Sequence, residues 1–153
     1  MATVEQVMKQ KIRMLQKDLE DIARHDIPNL VDNELRNAID DTVYSVPESD
    51  YYDRTYGLRN SVIAKTNKIN NSSYEITGFV DANQMSYEPY TEHSSWVTGY
   101  DMRDLIDYWM NYGHHGIVDY TPAYFIQLAQ KNVDMKVKKL INFKMSKKGY
   151  NIK

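Results

Sequence analysis

Apolar residues in the first forty positions recur with helical spacing. Met8, Ile12, Leu15, Leu19 and Ile22 follow one another at intervals of four, three, four and three, the spacing of a coiled-coil-like seam on an amphipathic helix. A second series, Val31, Leu35, Ala38, Ile39 and Val43, continues the period. Between them lies His25-Asp26-Ile27-Pro28, where Asp26 or a neighbour is placed to cap and Pro28 suits a first helical turn. The pattern predicts helices over 3–25 and 28–44, either separate or joined as one kinked rod. A joined rod reaches roughly 60 Å at about 1.5 Å per residue. That is longer than a small core requires, so part of it is expected to pack on another subunit.

Pro47 ends this helical region, and 45–52 reads as a loop. The period then changes from helical to alternating. In 61–68, Val62, Ala64 and Thr66 share one side; in 74–80, Tyr74, Ile76 and Gly78 alternate with Glu75, Thr77 and Phe79. Asn70-Asn71-Ser72-Ser73 separates the two runs as a turn, which predicts an antiparallel hairpin. Residues 82–98 are polar, aromatic and irregular, a long loop or a short strand around 87–91. Asp101 is placed to cap a short helix over 102–112, with Leu105, Ile106, Trp109 and Met110 inward and Gly113 as its stop. Thr121-Pro122 opens the last helix, whose apolar residues are Phe125, Leu128, Ala129, Val133, Val137, Leu140 and Ile141. No repeat or low-complexity linker divides the chain. The whole reads as one α+β domain over 1–143: a long N-terminal helix or helix pair, a small antiparallel sheet, a short helix and a C-terminal helix. A basic tail over 144–153 is expected to be disordered alone.

Composition adds three things. The 153 residues suffice for one sizeable core. The net charge of −2 is unevenly placed: from Lys131 onward there are eight Lys and one Asp, a balance of +7, which leaves −9 for residues 1–130. A basic end on an acidic body points to a polyanion contact, to head-to-tail contact between copies, or to a solvated face. Tyrosine is the compositional outlier, 13 against 3 Phe and 2 Trp, and it suits surfaces that become interfaces. The chain has no Cys, so disulfide and thiolate chemistry are excluded. The first residues lack the charged and apolar regions of an export leader, and no apolar run approaches the roughly 20 residues of a membrane helix. A soluble, unexported chain is expected.

Catalytic signatures are sparse. His114-His115, with His93 and His25 elsewhere, lack the helical i, i+4 partner or Cys pair that a zinc site uses. Gly113 and Gly116 flank them and mark a tight loop. Asp101, Asp104 and Asp107 fall within a turn and a half of helix, where they recruit a divalent metal or form an exposed face near the helix N-terminus. There is no Gly-rich phosphate loop, no nucleophile elbow and no paired nucleophile and base. The segment from Lys131 interleaves Phe143, Met145 and Tyr150 with lysines, which fits binding to a nucleic-acid backbone. It contains no Arg to read a base edge bidentately.

Between the helical region and the first strand lies Tyr52-Asp53-Arg54-Thr55-Tyr56-Gly57-Leu58-Arg59-Asn60-Ser61-Val62. Gly57 permits a turn that a side chain resists. Leu58 and Val62, four apart, share a face of a short helical turn; Arg54 and Arg59 flank it and Ser61 opens the strand. This elbow resembles the Arg-Thr-(x)-Gly-x-Leu-Arg-x-Ser signature of the small neck, or tail-completion, proteins of long-tailed bacteriophages. The usual form has Thr and Gly adjacent; here Tyr56 stands between them. Tyr108 to Gly113 is similar to that family's Tyr-x-x-Tyr-Gly segment. Thr121-Pro122-Ala123-Tyr124-Phe125 is similar to the Pro-aromatic motif that opens its last helix. The resemblance spans about residues 30 to 141, and the short helix over 102–110 departs from the common pattern.

The resemblance implies a structural subunit with no catalytic, cofactor or metal site. It implies copies arranged in a ring of six or twelve at the head–tail junction of a virion, assembled in the host cytoplasm. The neighbours would be connector or adaptor proteins and tail-tube or tail-terminator proteins. DNA would pass through the channel without specific readout, and no membrane would be involved. The expected contact residues are Arg54, Gly57, Leu58, Arg59 and Ser61 at the elbow, with Tyr87, Tyr90, Trp96, Tyr108, Tyr112, Pro122 and Phe125 elsewhere. Two other readings stand beside it. One is a nucleic-acid-binding accessory protein using the basic C-terminal helix. The other is a metal-dependent hydrolase using Asp101 to Asp107 and His114-His115.

Overall fold

A computed structural model gives the arrangement of residues 3–45, 56–84 and 124–151. The fold is α+β. In chain order it has helix α1 (Val4–Asp21), a π-helical turn (Ile22–Asp26), helix α2 (Ile27–Thr42) and the short helix α3 (Gly57–Asn60). Strands β1 (Val62–Lys68) and β2 (Tyr74–Val80), a 3-10 turn (Ala82–Gln84) and helix α4 (Phe125–Lys147) follow.

The N-terminal helices form one continuous rod. It starts on a capping box: the Gln6 amide donates to the Thr3 hydroxyl (3.3 Å) and the Thr3 amide donates to the Gln6 side chain (3.0 Å). Pro28 neither breaks the rod nor opens a capped second helix, and Asp26 makes no cap bond. Pro lacks an N–H and crowds the preceding turn, and here the turn before it is widened. The Ile27 amide bonds back to the Ile22 carbonyl, one residue further than in an α-helix. That leaves the Ala23 carbonyl without its helical donor. The Thr66 hydroxyl of β1 donates to it at 2.9 Å, so the irregular turn fastens the rod to the sheet. Ile22 and Ala23 are the first buried residues of the rod.

The hairpin is antiparallel, with Val62 opposite Val80, Ala64 opposite Gly78 and Thr66 opposite Ile76. The expected alternation is present, and the strand ends lie within one residue of those read from the pattern. In the turn, the Asn70 side chain accepts from the Ser72 amide (2.9 Å), the local bond that makes Asn a turn former. Two strands alone are marginal in water; here one face lies on α2. The core joins Leu35, Ala38, Ile39 and Val43 of α2 and its end to Leu58, Val62, Phe125 and Ala129. Phe125, expected at a contact between subunits, is fully buried in this core.

Helix α4 does not end at Phe143. It runs to Lys147 and closes on a Schellman motif: the Tyr150 amide donates to the Met145 carbonyl (3.1 Å) and the Gly149 amide to the Ser146 carbonyl (3.0 Å). Gly149 has φ +87°, the left-handed conformation this cap requires. Met145 is buried. The Lys148 ammonium and the Tyr150 hydroxyl each lie 2.8 Å from a carboxylate oxygen of Asp18. Residues 144–151 are therefore the end of a packed helix clipped to the rod, not a loose tail.

Close packing of β2 on α2 depends on Gly78. A Cβ there would lie 2.5 Å from Val31 Cγ1 and 3.6 Å from Leu35 Cδ2. Valine is stiff at χ1, so it cannot swing aside. Gly78→Ala is expected to destabilise the fold by about 1–3 kcal/mol, the usual cost of overpacking. Adding Val31→Ala should recover part of that loss, which a double-mutant cycle in urea measures.

Candidate functional site

The elbow is an internal joint. Leu58 and Ser61 are buried; the Ser61 hydroxyl donates to the Gly57 carbonyl (2.7 Å) and the Ser61 carbonyl accepts from the Asp81 amide at the far end of the hairpin (2.8 Å). Asp81 in turn caps the 3-10 turn, accepting from the Asn83 amide at 3.1 Å, and that bond holds its carboxyl below the usual range. The left-handed residue of the elbow is Tyr56, with φ 53° and ψ 23°, and not Gly57. A bulky residue rarely takes this conformation. The Tyr56 ring leans on that of Tyr44, with 4.9 Å between centroids. Tyr56 is thus the residue that makes the turn.

A residue not singled out from the sequence clamps the joint. The Arg36 guanidinium donates to the carbonyls of Arg59 (2.5 Å) and Val62 (3.0 Å) and forms a forked pair with Asp32 (2.7 and 3.1 Å). Asp32 raises the Arg36 pKa above its ordinary value. Planar, many-donor geometry is what Arg offers and Lys does not. Arg59, the expected contact residue, pairs with Asp40 of α2 (2.8 Å). Asp32 and Arg36 are an i, i+4 pair readable in the sequence; the carbonyls they reach are not.

The basic C-terminal helix meets the acidic rod within the chain. Lys136 grips buried Glu34 through both oxygens (2.7 and 2.8 Å), Lys144 lies 2.6 Å from Asp26, and Lys148 binds Asp18. Breaking the Glu34 pair would strand a buried charge, which is costly; the exposed pairs contribute less. Lys131, Lys138 and Lys139 make no ion pair among the described residues. Beside Lys131 an open depression of about 460 Å³ is lined by Gln127, Gln130, Asp134 and Met135.

Helix α1 buries none of its side chains. Val4 is 78% exposed, Met8 58%, Ile12 52% and Leu19 38%. The seam read from the sequence is therefore real as a stripe on a formed helix, and it lies open over most of its length.

Arg54, Tyr87, Tyr90, Trp96, Tyr108, Tyr112 and Pro122 lie outside the described residues, as do the Asp101–Asp107 turn and His114-His115. Among the described residues no group of three His, Asp or Glu side chains is arranged to hold a metal, and no helix is long and apolar enough to cross a membrane. Compared with protein-family models, with curated proteins and with solved structures, the chain has no match.

The clip at Asp18 depends on pH in both directions. Hydrogen bonds from Lys148 and then Tyr150 hold the Asp18 carboxyl below its ordinary value of 3.8, and Asp18 raises both partners. The Asp18 contribution is present above 3.8 and is lost as pH falls through its lower folded value. The contributions of Tyr150 and Lys148 are present below 10.0 and 10.5 and are lost as pH rises through their higher folded values. NMR signals of residues 148–151 are expected to hold docked positions from about pH 5 to about pH 9 and to move toward free-chain positions beyond both ends. Asp18→Asn should shift them at neutral pH. Signals unmoved at either extreme would show that these bonds do not hold the end of α4.

Proposed function

We propose that this chain is a structural subunit that works by assembling with other copies, in the manner of the neck, or tail-completion, proteins it resembles. In this reading it forms part of a ring joining the head connector of a phage particle to its tail tube, with connector and tail proteins as neighbours and DNA passing through. The observation that carries the reading is the state of α1. An 18-residue helix is capped, continuous with the core-forming α2, and has no fully buried residue, with Leu15, Asp18 and Glu20 half-buried and the rest exposed. Contiguous apolar surface rimmed by charge marks an interaction site. The elbow supports the same reading: its signature residues brace a rod against a sheet, which is mechanical work. Copies related by a heterologous contact close into a ring when the rotation permits.

The nucleic-acid reading loses part of its basis. Three of the C-terminal lysines are engaged by Glu34, Asp26 and Asp18, so fewer charges are available to phosphates.

Cryo-electron microscopy of particles produced from the genome that encodes this chain tests the proposal. A ring of this subunit at the head–tail junction is expected. Absence of the chain from intact particles would contradict the proposal and return Lys131, Lys138 and Lys139, with a salt-dependent nucleic-acid shift as the assay, to first place.

A further inference from the structure

Helix α4 sorts its lysines onto two sides. Lys136, Lys144 and Lys148 face the rod, where Glu34, Asp26 and Asp18 hold them at 2.7, 2.6 and 2.8 Å. Lys131, Lys139 and Lys147 alternate with Met135 and Phe143 in a second series, every member four residues from the next. An interval of four makes a continuous ridge along a helix, and all five residues of this ridge are exposed. Met135 is 55% exposed and Phe143 54%. From Lys131 to Lys147 the ridge spans roughly 24 Å at the usual helical rise. Lys138 lies beside it.

We propose that this ridge binds single-stranded nucleic acid, with its lysines on phosphates and Phe143 under a base. Charge is the first ground. Lys131, Lys138 and Lys139 make no ion pair among the described residues. The acids of the rod are engaged elsewhere: Asp18, Asp26 and Glu34 hold the inner lysines, Glu20 pairs with Arg24 and Lys68, Asp32 with Arg36, and Asp40 with Arg59. Asp134 is the one acid on α4. Four outward lysines against one aspartate leave an excess of positive charge, which concentrates a polyanion at the surface.

The aromatic ring is the second ground. Phe143 is open to solvent, and the Lys147 Nζ lies 4.4 Å from its ring centroid, so a stacking surface and a phosphate-binding charge are side by side. A charged track with an aromatic platform is how proteins hold a strand whose bases are unpaired. The other residues that the sequence interleaves with these lysines are taken: Met145 is buried, and the Tyr150 hydroxyl is held by Asp18 at 2.8 Å. A lipid surface fits the ridge less well, because it needs a broad apolar face and here each apolar side chain stands between two lysines. A duplex hides the faces of its bases, which leaves Phe143 nothing to stack on. Helix α4 has no Arg, the side chain that reads guanine bidentately, so binding is expected to be indifferent to sequence. The proposal goes beyond the assembly reading and does not depend on it.

A fluorescein-labelled oligodeoxythymidylate, titrated with the full-length protein while anisotropy is read, tests this. Contacts from Lys131, Lys138, Lys139 and Lys147 to a single strand predict that log K falls with log salt at a slope of about −3. Lys139→Ala should bring the slope to about −2. Phe143→Ala should weaken binding about 5- to 150-fold and leave the slope unchanged. Thermal unfolding of both variants should match that of the parent chain, because both side chains are exposed. Lys65→Ala, the same change of net charge on the hairpin, should alter neither affinity nor slope. No anisotropy change at low salt would overturn the proposal. So would equal affinity for a duplex of the same length, equal affinity for inorganic polyphosphate, binding to anionic phospholipid vesicles in place of the oligonucleotide, or binding undiminished by Phe143→Ala. Failure of the assembly reading looks different: a chain that binds the oligonucleotide but is absent from intact particles.

Discussion

Everything in this fold depends on α2 lying close against both the hairpin and α4. Its inner face has small side chains where the approach is tightest. Ala38 is fully buried, and Gly78 of β2 leaves room for Val31 where even a methyl group would collide. Close approach lets apolar burial accumulate in a small volume, which is where most of the stability of a small domain arises. It also brings backbone carbonyls of the elbow within reach of Arg36, and the Glu34 carboxylate within reach of Lys136 from α4. A looser contact would leave those polar groups buried and unpaired, a heavier cost than the bonds themselves repay. Among the described residues no buried side-chain nitrogen or oxygen lacks a partner.

The same contact explains the shape of the rod. The core holds α2 and ends at the π-helical turn, where Thr66 takes the carbonyl that the turn releases. Beyond that point the rod continues as α1, half-covered at Leu15, Asp18 and Glu20 and exposed elsewhere. Clips at Asp18 and Glu20 fix its direction from two sides. A helix of this length in isolation is marginal; joined to an anchored helix and begun with a capping box, it is formed before any partner arrives. Preorganisation of this kind lowers the entropy lost on association.

Much of the fold was legible in the sequence, for local reasons. The helical seam, the change to alternation at residue 62, the Asn-Ser turn and the register of the last helix each depend on neighbours a few residues away. What was not legible depended on distant groups or on backbone detail. Pro28 looks like a helix start, and only the Thr66 hydroxyl, arriving 43 residues later, makes a widened turn satisfactory there. Asp26 looks like a cap but pairs with Lys144. Gly57 looks like the left-handed residue, yet Tyr56 takes that conformation while its ring leans on Tyr44. The one local signal overlooked was Gly149 after a lysine-rich turn, followed by Tyr150, which is the pattern of a Schellman cap. Of the expected contact residues, Leu58, Ser61 and Phe125 face inward and Arg59 is paired with Asp40. Among the described residues, Met8, Ile12 and Leu19 of the seam remain exposed, while Ile22 at its end enters the core.

The central claim is that the apolar stripe of α1 is covered when copies meet. Amide hydrogen exchange followed as a function of protein concentration measures this most directly. The account predicts that amides of residues 7–19 become more protected as concentration rises, while those of α2 keep the same protection throughout. Protection of α1 that stays constant across a concentration range spanning assembly would contradict it.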